Sequence, residues 1–135
     1  MKTFSKTQAC PCGQISGRAA MLYQNCCGRW LESDTPAPDA HSLMRSRYSA
    51  FGLERGIYLL QTWHASTRPA TLEFDPGVKW LGLDVHSHRV LDANHAEVEF
   101  VARQKSVGAP ALRLHERSRF VREAGRWYYM DGDLQ

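Results

Sequence analysis

All four cysteines of the chain lie between positions 10 and 27, as Cys10-Pro11-Cys12-Gly13 and Cys26-Cys27-Gly28. Two close pairs separated by a loop offer four soft thiolate ligands, a set that suits tetrahedral zinc and leaves no coordination position for water or substrate. Such a site folds its segment and hydrolyses nothing. A redox thiol pair and disulfides are the alternatives. Cys10 and Cys12 stand too close along the chain to bridge comfortably, and Cys26 with Cys27 could pair only as a strained vicinal disulfide. Crossed pairs such as Cys10 with Cys26 are sterically allowed but need an oxidising compartment, and MKTFSKTQAC has no apolar stretch of the kind that directs export. The expectation is a structural zinc knuckle in a cytoplasmic protein.

The other residues that could do chemistry are scattered, so the elements must bring them together. Asp39 is a fair N-cap for a helix to about Gly52, in which Leu43, Met44, Tyr48 and Phe51 repeat at three- and four-residue steps. Arg45 and Arg47 sit in this helix. Arg47 falls close to the apolar stripe, where it must snorkel or find a buried partner, because an unpaired buried guanidinium costs several kcal/mol. A second short helix is expected from Arg55 to about Ala65, with Trp63 in the core, His64 half-buried, and Gly52 and Gly56 as hinge residues. Ser66-Thr67-Arg68-Pro69 closes it.

Beyond Pro76 the period changes to two. Lys79, Leu81, Leu83 and Val85 alternate with Trp80, Gly82, Asp84 and His86, and Val98, Phe100 and Ala102 with Glu97, Glu99 and Val101. Leu112, Leu114 and Phe120 alternate with Arg113, His115 and Arg119, and Trp127 to Met130 make a fourth strand. The turns at 91–94, 106–110 and 123–125 are short enough for hairpins, so the strands are antiparallel neighbours. Helices followed by such a meander make an α+β fold in which the helices lie on one concave sheet face and enclose a pocket.

The parity of Leu112, Leu114 and Phe120 also carries Glu116 and Ser118, which points Glu116 at the core side. A carboxylate there wants a cation, and Arg45, Arg47 and Arg68 are available; the pair is either a helix-to-sheet clamp or part of a polar ligand pocket. The candidate pocket residues are Arg45, Arg47, Tyr48, Trp63, His64, Arg68 and Glu116. A proton-transfer enzyme would need a base beside a donor such as Tyr48 or Trp63, and only Glu116, Asp131 and His64 could be that base. Asp131 is equally a turn residue before Gly132, and neighbouring arginines would hold Glu116 ionised. No catalytic residue is assigned.

A hydrophobic share of 43% and a charged share of 23% over 135 residues describe one globular domain with an appendage. No apolar run is long enough to span a membrane. The formal charge is +3, and four thiolates around one Zn²⁺ leave about +1, so net charge gives no support for nucleic-acid binding. The cluster Arg113, Arg117, Arg119 and Arg122 is expected to be a solvated strand face. The chain has no G-x-x-x-x-G-K-[ST], G-x-G-x-x-G or H-E-x-x-H.

Cys-Pro-Cys-Gly followed by Cys-Cys-Gly resembles the SEC-C motif, the zinc knuckle also found at the C-terminus of SecA-type translocation ATPases. LMRSRYSAFGLERGIYLLQTWHASTR and HERSRFVREAGRWYYMDG resemble the YchJ-type family of bacterial proteins. The resemblance implies zinc ligation by Cys10, Cys12, Cys26 and Cys27, and the cystatin-like cone typified by nuclear transport factor two. It also favours a buried partner for Arg47. The expected division is a SEC-C knuckle over 1–30, a linker over 31–38 containing Pro36 and Pro38, and an NTF2-like domain over 39–135. The loop QISGRAAMLYQN is longer than is typical and is expected to hold an extra helical turn. Because the translocase tail binds a chaperone, the resemblance also implies a protein partner docked through residues 10–30, ribosome or secretion-chaperone components leading, in an adaptor role. The alternatives are a cone that binds a small polar ligand, or one that catalyses proton transfer. Packing of Trp30, Met21, Leu22 and Tyr23 onto the cone is the rival to docking.

Overall fold

The computed structural model describes residues 4–135. A two-residue hairpin, β1 (Ile15–Ser16) and β2 (Ala19–Ala20), is followed by a 3-10 turn at Tyr23–Asn25 and helices α1 (Gly28–Leu31), α2 (Ala40–Gly52) and α3 (Gly56–Gln61). Strands β3 (Val78–Asp92), β4 (His95–Ser106), β5 (Leu112–Glu123) and β6 (Arg126–Leu134) then form one antiparallel sheet in sequence order. The long inter-cysteine loop therefore holds a hairpin as well as the expected short helical turn.

Asp39 caps α2 as its residue type suggests, its Oδ1 accepting the Ser42 N–H at 2.7 Å. The helix packs against β3, β4 and β6 on one side and against the cysteine segment on the other. Its buried residues consequently include Ser46, Arg47 and Ser49 beside Leu43, Met44 and Tyr48. α3 stops at Gln61, short of the expected Ala65. Beyond it the Tyr129 N–H donates to Thr62 O and the His64 N–H to Tyr129 O, both at 2.8 Å, so the chain leaves the helix to pair with β6. The left-handed residue between the helices is Glu54, with φ of 57°, and neither Gly52 nor Gly56 takes that conformation.

The simple alternation expected for β3 breaks at a bulge between Trp80 and Gly82. Trp80 packs against the core while Leu81 is 50% exposed. Next to the bulge, the Gly82 backbone amide donates to the Tyr48 hydroxyl. β6 is longer than expected and takes in Asp131. The hairpin before it turns through Ala124 and Gly125, both with positive φ (51° and 77°), the conformation that matches the twist of the strands.

Leu43, Met44, Tyr48, Leu83, Val98, Phe100 and Phe120 form the core between α2 and the sheet, and Tyr23 and the four cysteines belong to the same cluster. Among the described residues no helix is long and apolar enough to cross a membrane.

Candidate functional site

The cysteines are assembled by local pairing. The Cys10 N–H donates to Met21 O and the Tyr23 N–H to Gln8 O, which lays the strand entering the first pair alongside the segment leading to the second. The Gly13 N–H closes a turn on Cys10 O, Gly13 having φ of 75°, and the turn at Tyr23–Asn25 delivers Cys26 and Cys27. All four cysteines are buried and free of disulfides, with their Sγ atoms within 4.8 Å of one another. Cys12 Sγ and Cys26 Sγ are 3.6 Å apart. Tetrahedral zinc with Zn–S bonds of about 2.3 Å requires edges of about 3.8 Å, so the donor set fits.

Electrostatics also call for a cation. Hydrogen bonds with Cys12, Cys26 and Cys27 hold the Cys10 thiol far down; those with Cys10 and Cys12 push Cys26 and Cys27 far up. Cys12 lies at about 7, the hydrogen bond with Cys10 raising it and those with Cys26 and Cys27 prevailing. Four packed thiols cannot all ionise alone, and a divalent ion removes the conflict. Arg45 Nη1 donates to Cys12 O at 3.1 Å and lies 3.6 Å from Cys12 Sγ, and Ser49 Oγ is 3.7 Å from Cys10 Sγ. Both belong to α2, which thus supplies the surroundings of the cluster.

The opposite side of α2 walls a cavity of about 300 Å³ between helix and sheet. Met44, Phe51, Trp80, Phe100 and Phe120 make it largely apolar, and Arg47, Tyr48, Trp63, Glu116, Ser118 and Tyr129 supply its polar atoms. Arg47 is 6% exposed. Its Nη1 donates to Leu59 O at 2.8 Å and Thr62 Oγ1 at 2.7 Å, and its guanidinium lies 4.9 Å from the Trp63 ring and 4.8 Å from the Tyr129 ring. Burial pulls Arg47 down to about 10, so it stays charged at neutral pH. Burial also pushes Tyr48 and Tyr129 up to about 12, leaving both as neutral hydroxyls. Trp63 Nε1 is buried and has no hydrogen-bond partner.

Glu116 does point inward, as its parity implies, because no bulge interrupts β5 between Leu112 and Ser118. Its Oε2 accepts from Ser118 Oγ at 2.5 Å and from Tyr129 Oη at 3.3 Å. The expected ion pair with an arginine is not formed among the described residues. Arg47 feels the Glu116 charge across the cavity, but its own hydrogen bonds go to α3 and Thr62.

Three candidate pocket residues lie elsewhere. Arg45 is two positions from Arg47, which on a helix turns it to the far side, onto the cysteines. His64 follows Trp63 in an extended segment, so the two side chains diverge; His64 meets Ser66 Oγ and Glu123 Oε1, each at 2.7 Å. Arg68 is exposed and donates to Trp63 O. Asp131 lies on β6, outside the cavity lining, with its Oδ1 2.6 Å from Arg119 Nε. Sequence reasoning missed the contribution of Arg45 and Ser49 to the cysteine cluster; the i, i+2 spacing of the two arginines in Arg45-Ser46-Arg47-Tyr48 was the available signal.

A family profile described as the YchJ middle NTF2-like domain matches residues 39–132. The chain belongs to this YchJ-like family. A UPF0225 protein of Polaromonas sp. (strain JS666 / ATCC BAA-500) is 68% identical over 129 residues, covering 93% of each chain. One from Bordetella parapertussis is 54% identical over 134 residues, covering 97% of this chain and 96% of its own. Two solved structures are similar along most of their length. The solution structure of a SEC-C motif containing protein from Rhodopseudomonas palustris has a TM-score of 0.78 at 31% identity, covering 93% of this chain and 98% of that one. The crystal structure of a SEC-C motif containing protein from Psychrobacter arcticus also has a TM-score of 0.78, at 30% identity, covering 96% and 84%. This YchJ-like chain therefore joins an NTF2-like fold to a SEC-C cluster able to hold a metal.

Proposed function

We propose that the chain is a small-ligand-binding protein whose cavity receives a compact, mostly apolar molecule carrying a carboxylate, and whose four cysteines hold a structural zinc ion. One observation carries this reading: a buried, charged Arg47 lines an apolar cavity and has, among the described residues, no carboxylate in contact with it. Leaving a buried donor unsatisfied costs about 1 to 3 kcal/mol, and a buried cation without a contacting anion costs more. A carboxylate in the cavity would answer the second, while Glu116 on the facing strand accepts from a donor group of the ligand. No base stands beside a free proton donor in a way that assigns a reaction, so the reading is binding without chemistry.

The zinc role follows from four thiolates that close the coordination shell, leaving the ion to brace the N-terminal segment. Of the residues once available for docking, Tyr23 is buried, and Met21 and Trp30 pack against the core. A partner-docking reading retains one specific support, the β1–β2 hairpin, where Ile15 is 65% exposed and Arg18 is exposed beside it. Its occupant would be an acidic or apolar protein surface, and Ile15→Ser with Arg18→Ser should abolish capture of any such partner.

Matched aromatic acids and amides, such as phenylacetate and phenylacetamide, test the main reading by ligand-observed NMR and thermal shift. The acids should bind at least about tenfold more tightly than the amides, a charge-assisted hydrogen bond being roughly twice as strong as a neutral one. Equal binding of acid and amide, or no binding across a panel of such acids, would overturn it.

A further inference from the structure

On the sheet face turned away from the cavity, three side chains converge from three adjacent strands: His86 of β3, Glu99 of β4 and His115 of β5. One ligand-capable atom of each lies within 4.8 Å of the other two. The convergence is on one oxygen, with His115 Nε2 at 2.9 Å and His86 Nδ1 at 3.9 Å from Glu99 Oε2. The other carboxylate oxygen, Oε1, has Arg117 Nη2 at 3.6 Å, so the guanidinium orients the carboxylate and leaves Oε2 to the imidazoles. The two rings meet edge to face at 5.4 Å.

The backbone contributes to this arrangement. A register irregularity between Val85 and Ser87 sets an extra β3 residue, His86, against the Glu99 region, and irregularities of this kind re-aim side chains. Val101, the next outward residue of β4 and the register partner of His115 and Asp84, is only 1% exposed. Neighbouring side chains therefore cover this valine, while His86 and Arg117 beside it stay partly open to solvent.

We propose that His86, Glu99 and His115 form a second metal site, separate from the four cysteines, that takes a borderline divalent ion such as zinc. Two imidazole nitrogens and one carboxylate oxygen favour such ions over magnesium or calcium. Tetrahedral bonds of about 2.0 to 2.2 Å place neighbouring donors about 3.3 to 3.6 Å apart. The His115–Glu99 distance of 2.9 Å and the His86–Glu99 distance of 3.9 Å lie on either side of that spacing, and small rotations of the side chains, His86 being 45% exposed, bring all three donors to it. The remaining coordination positions face solvent and are open to water or to a ligand atom.

The test is a titration of the protein, its cysteine cluster already holding metal, with further Zn²⁺, followed by calorimetry and by the imidazole resonances of the histidines. The expected result is one added equivalent that moves the His86 and His115 signals together. His86→Ala, His115→Ala and the near-isosteric Glu99→Gln should each weaken it by at least about tenfold. His95→Ala, which removes a surface partner of Asp92, should leave it unchanged. Absence of the added equivalent, its survival in the three variants, or equal loss in His95→Ala overturns the proposal.

Discussion

Gly28 closes the Cys26-Cys27-Gly28 step and opens α1, and replacing it with alanine sets two effects of opposite sign against each other. Helix propensity favours alanine by about 1 kcal/mol. A Cβ at this position, however, would stand 2.6 Å from Tyr23 O and 3.0 Å from Tyr23 Cδ2. Neither atom is free to retreat. Tyr23 O accepts the Cys26 N–H at 3.0 Å, and the buried Tyr23 ring is anchored through its hydroxyl, which donates to Glu32 Oε2 at 2.7 Å. Forcing a methyl group into a packed site costs about 1 to 3 kcal/mol, and weakening the Tyr23–Cys26 hydrogen bond adds about 1 kcal/mol. The net effect is a loss of about 1 to 3 kcal/mol, concentrated at the turn that positions two of the four ligands. Competition with a chromogenic chelator, with a thermal melt alongside, reads both consequences. Gly28→Ala should release metal faster than the parent and melt lower by roughly 4 °C per kcal/mol. A variant that melts as high or higher and holds its metal as long would show that propensity wins, refuting the steric account of this glycine.

Cys26→Ser should bring the metal content, measured by elemental analysis, from about one per chain at the cluster to a substoichiometric value, because three thiolates no longer close the shell; full retention would contradict the ligand set. Arg47→Met removes the hydrogen bonds to Leu59 O and Thr62 Oγ1 but also removes a buried cation, so denaturant unfolding should show a loss under about 3 kcal/mol while the preference for acids over amides disappears. A larger loss with the preference intact would make Arg47 a structural clamp. For Glu32, burial raises the carboxyl, but the Tyr23 hydroxyl and Arg55 outweigh it and hold it below its ordinary value. The folded value lies below the unfolded one, so this stabilisation is complete above about pH 4.3 and fades as the pH falls through the folded value. Glu32→Gln should flatten the acid limb of the melting temperature against pH, and parallel acid limbs would count against the reading.

What could be read from the chain was whatever is decided locally. Asp39 capping α2, the strand parity that turns Glu116 inward, and the clustering of the four cysteines each follow from neighbours a few residues away. The end of α3 did not, because it is set by hydrogen bonds between Thr62, His64 and Tyr129, a strand encountered more than sixty residues later. The inward turn of Trp80 was hidden for a similar reason: a bulge shifts parity without changing composition, and Gly82 was its only local trace. The missing ion pair of Glu116 has a different cause. Arg47 had nearer acceptors in Leu59 O and Thr62 Oγ1, which take up its Nη1 at 2.7–2.8 Å but, being neutral, leave its charge uncompensated.

The two centres are joined by α2, and the way that helix is buried decides how one can affect the other. Arg45 and Ser49 meet the cysteines, while Met44, Arg47, Tyr48 and Phe51 wall the cavity, so a single rigid element carries both sets of side chains. Coupling that switches a ligand site on and off requires an element with two packed arrangements. α2 is held by the cluster on one side and by β3, β4 and β6 on the other, and its serines and Arg47 are hydrogen-bonded within one specific packing. A metal held by the cysteines would therefore act as a brace that fixes Arg47 at the cavity wall before any ligand arrives, which would favour the proposed binding by reducing the ordering it requires.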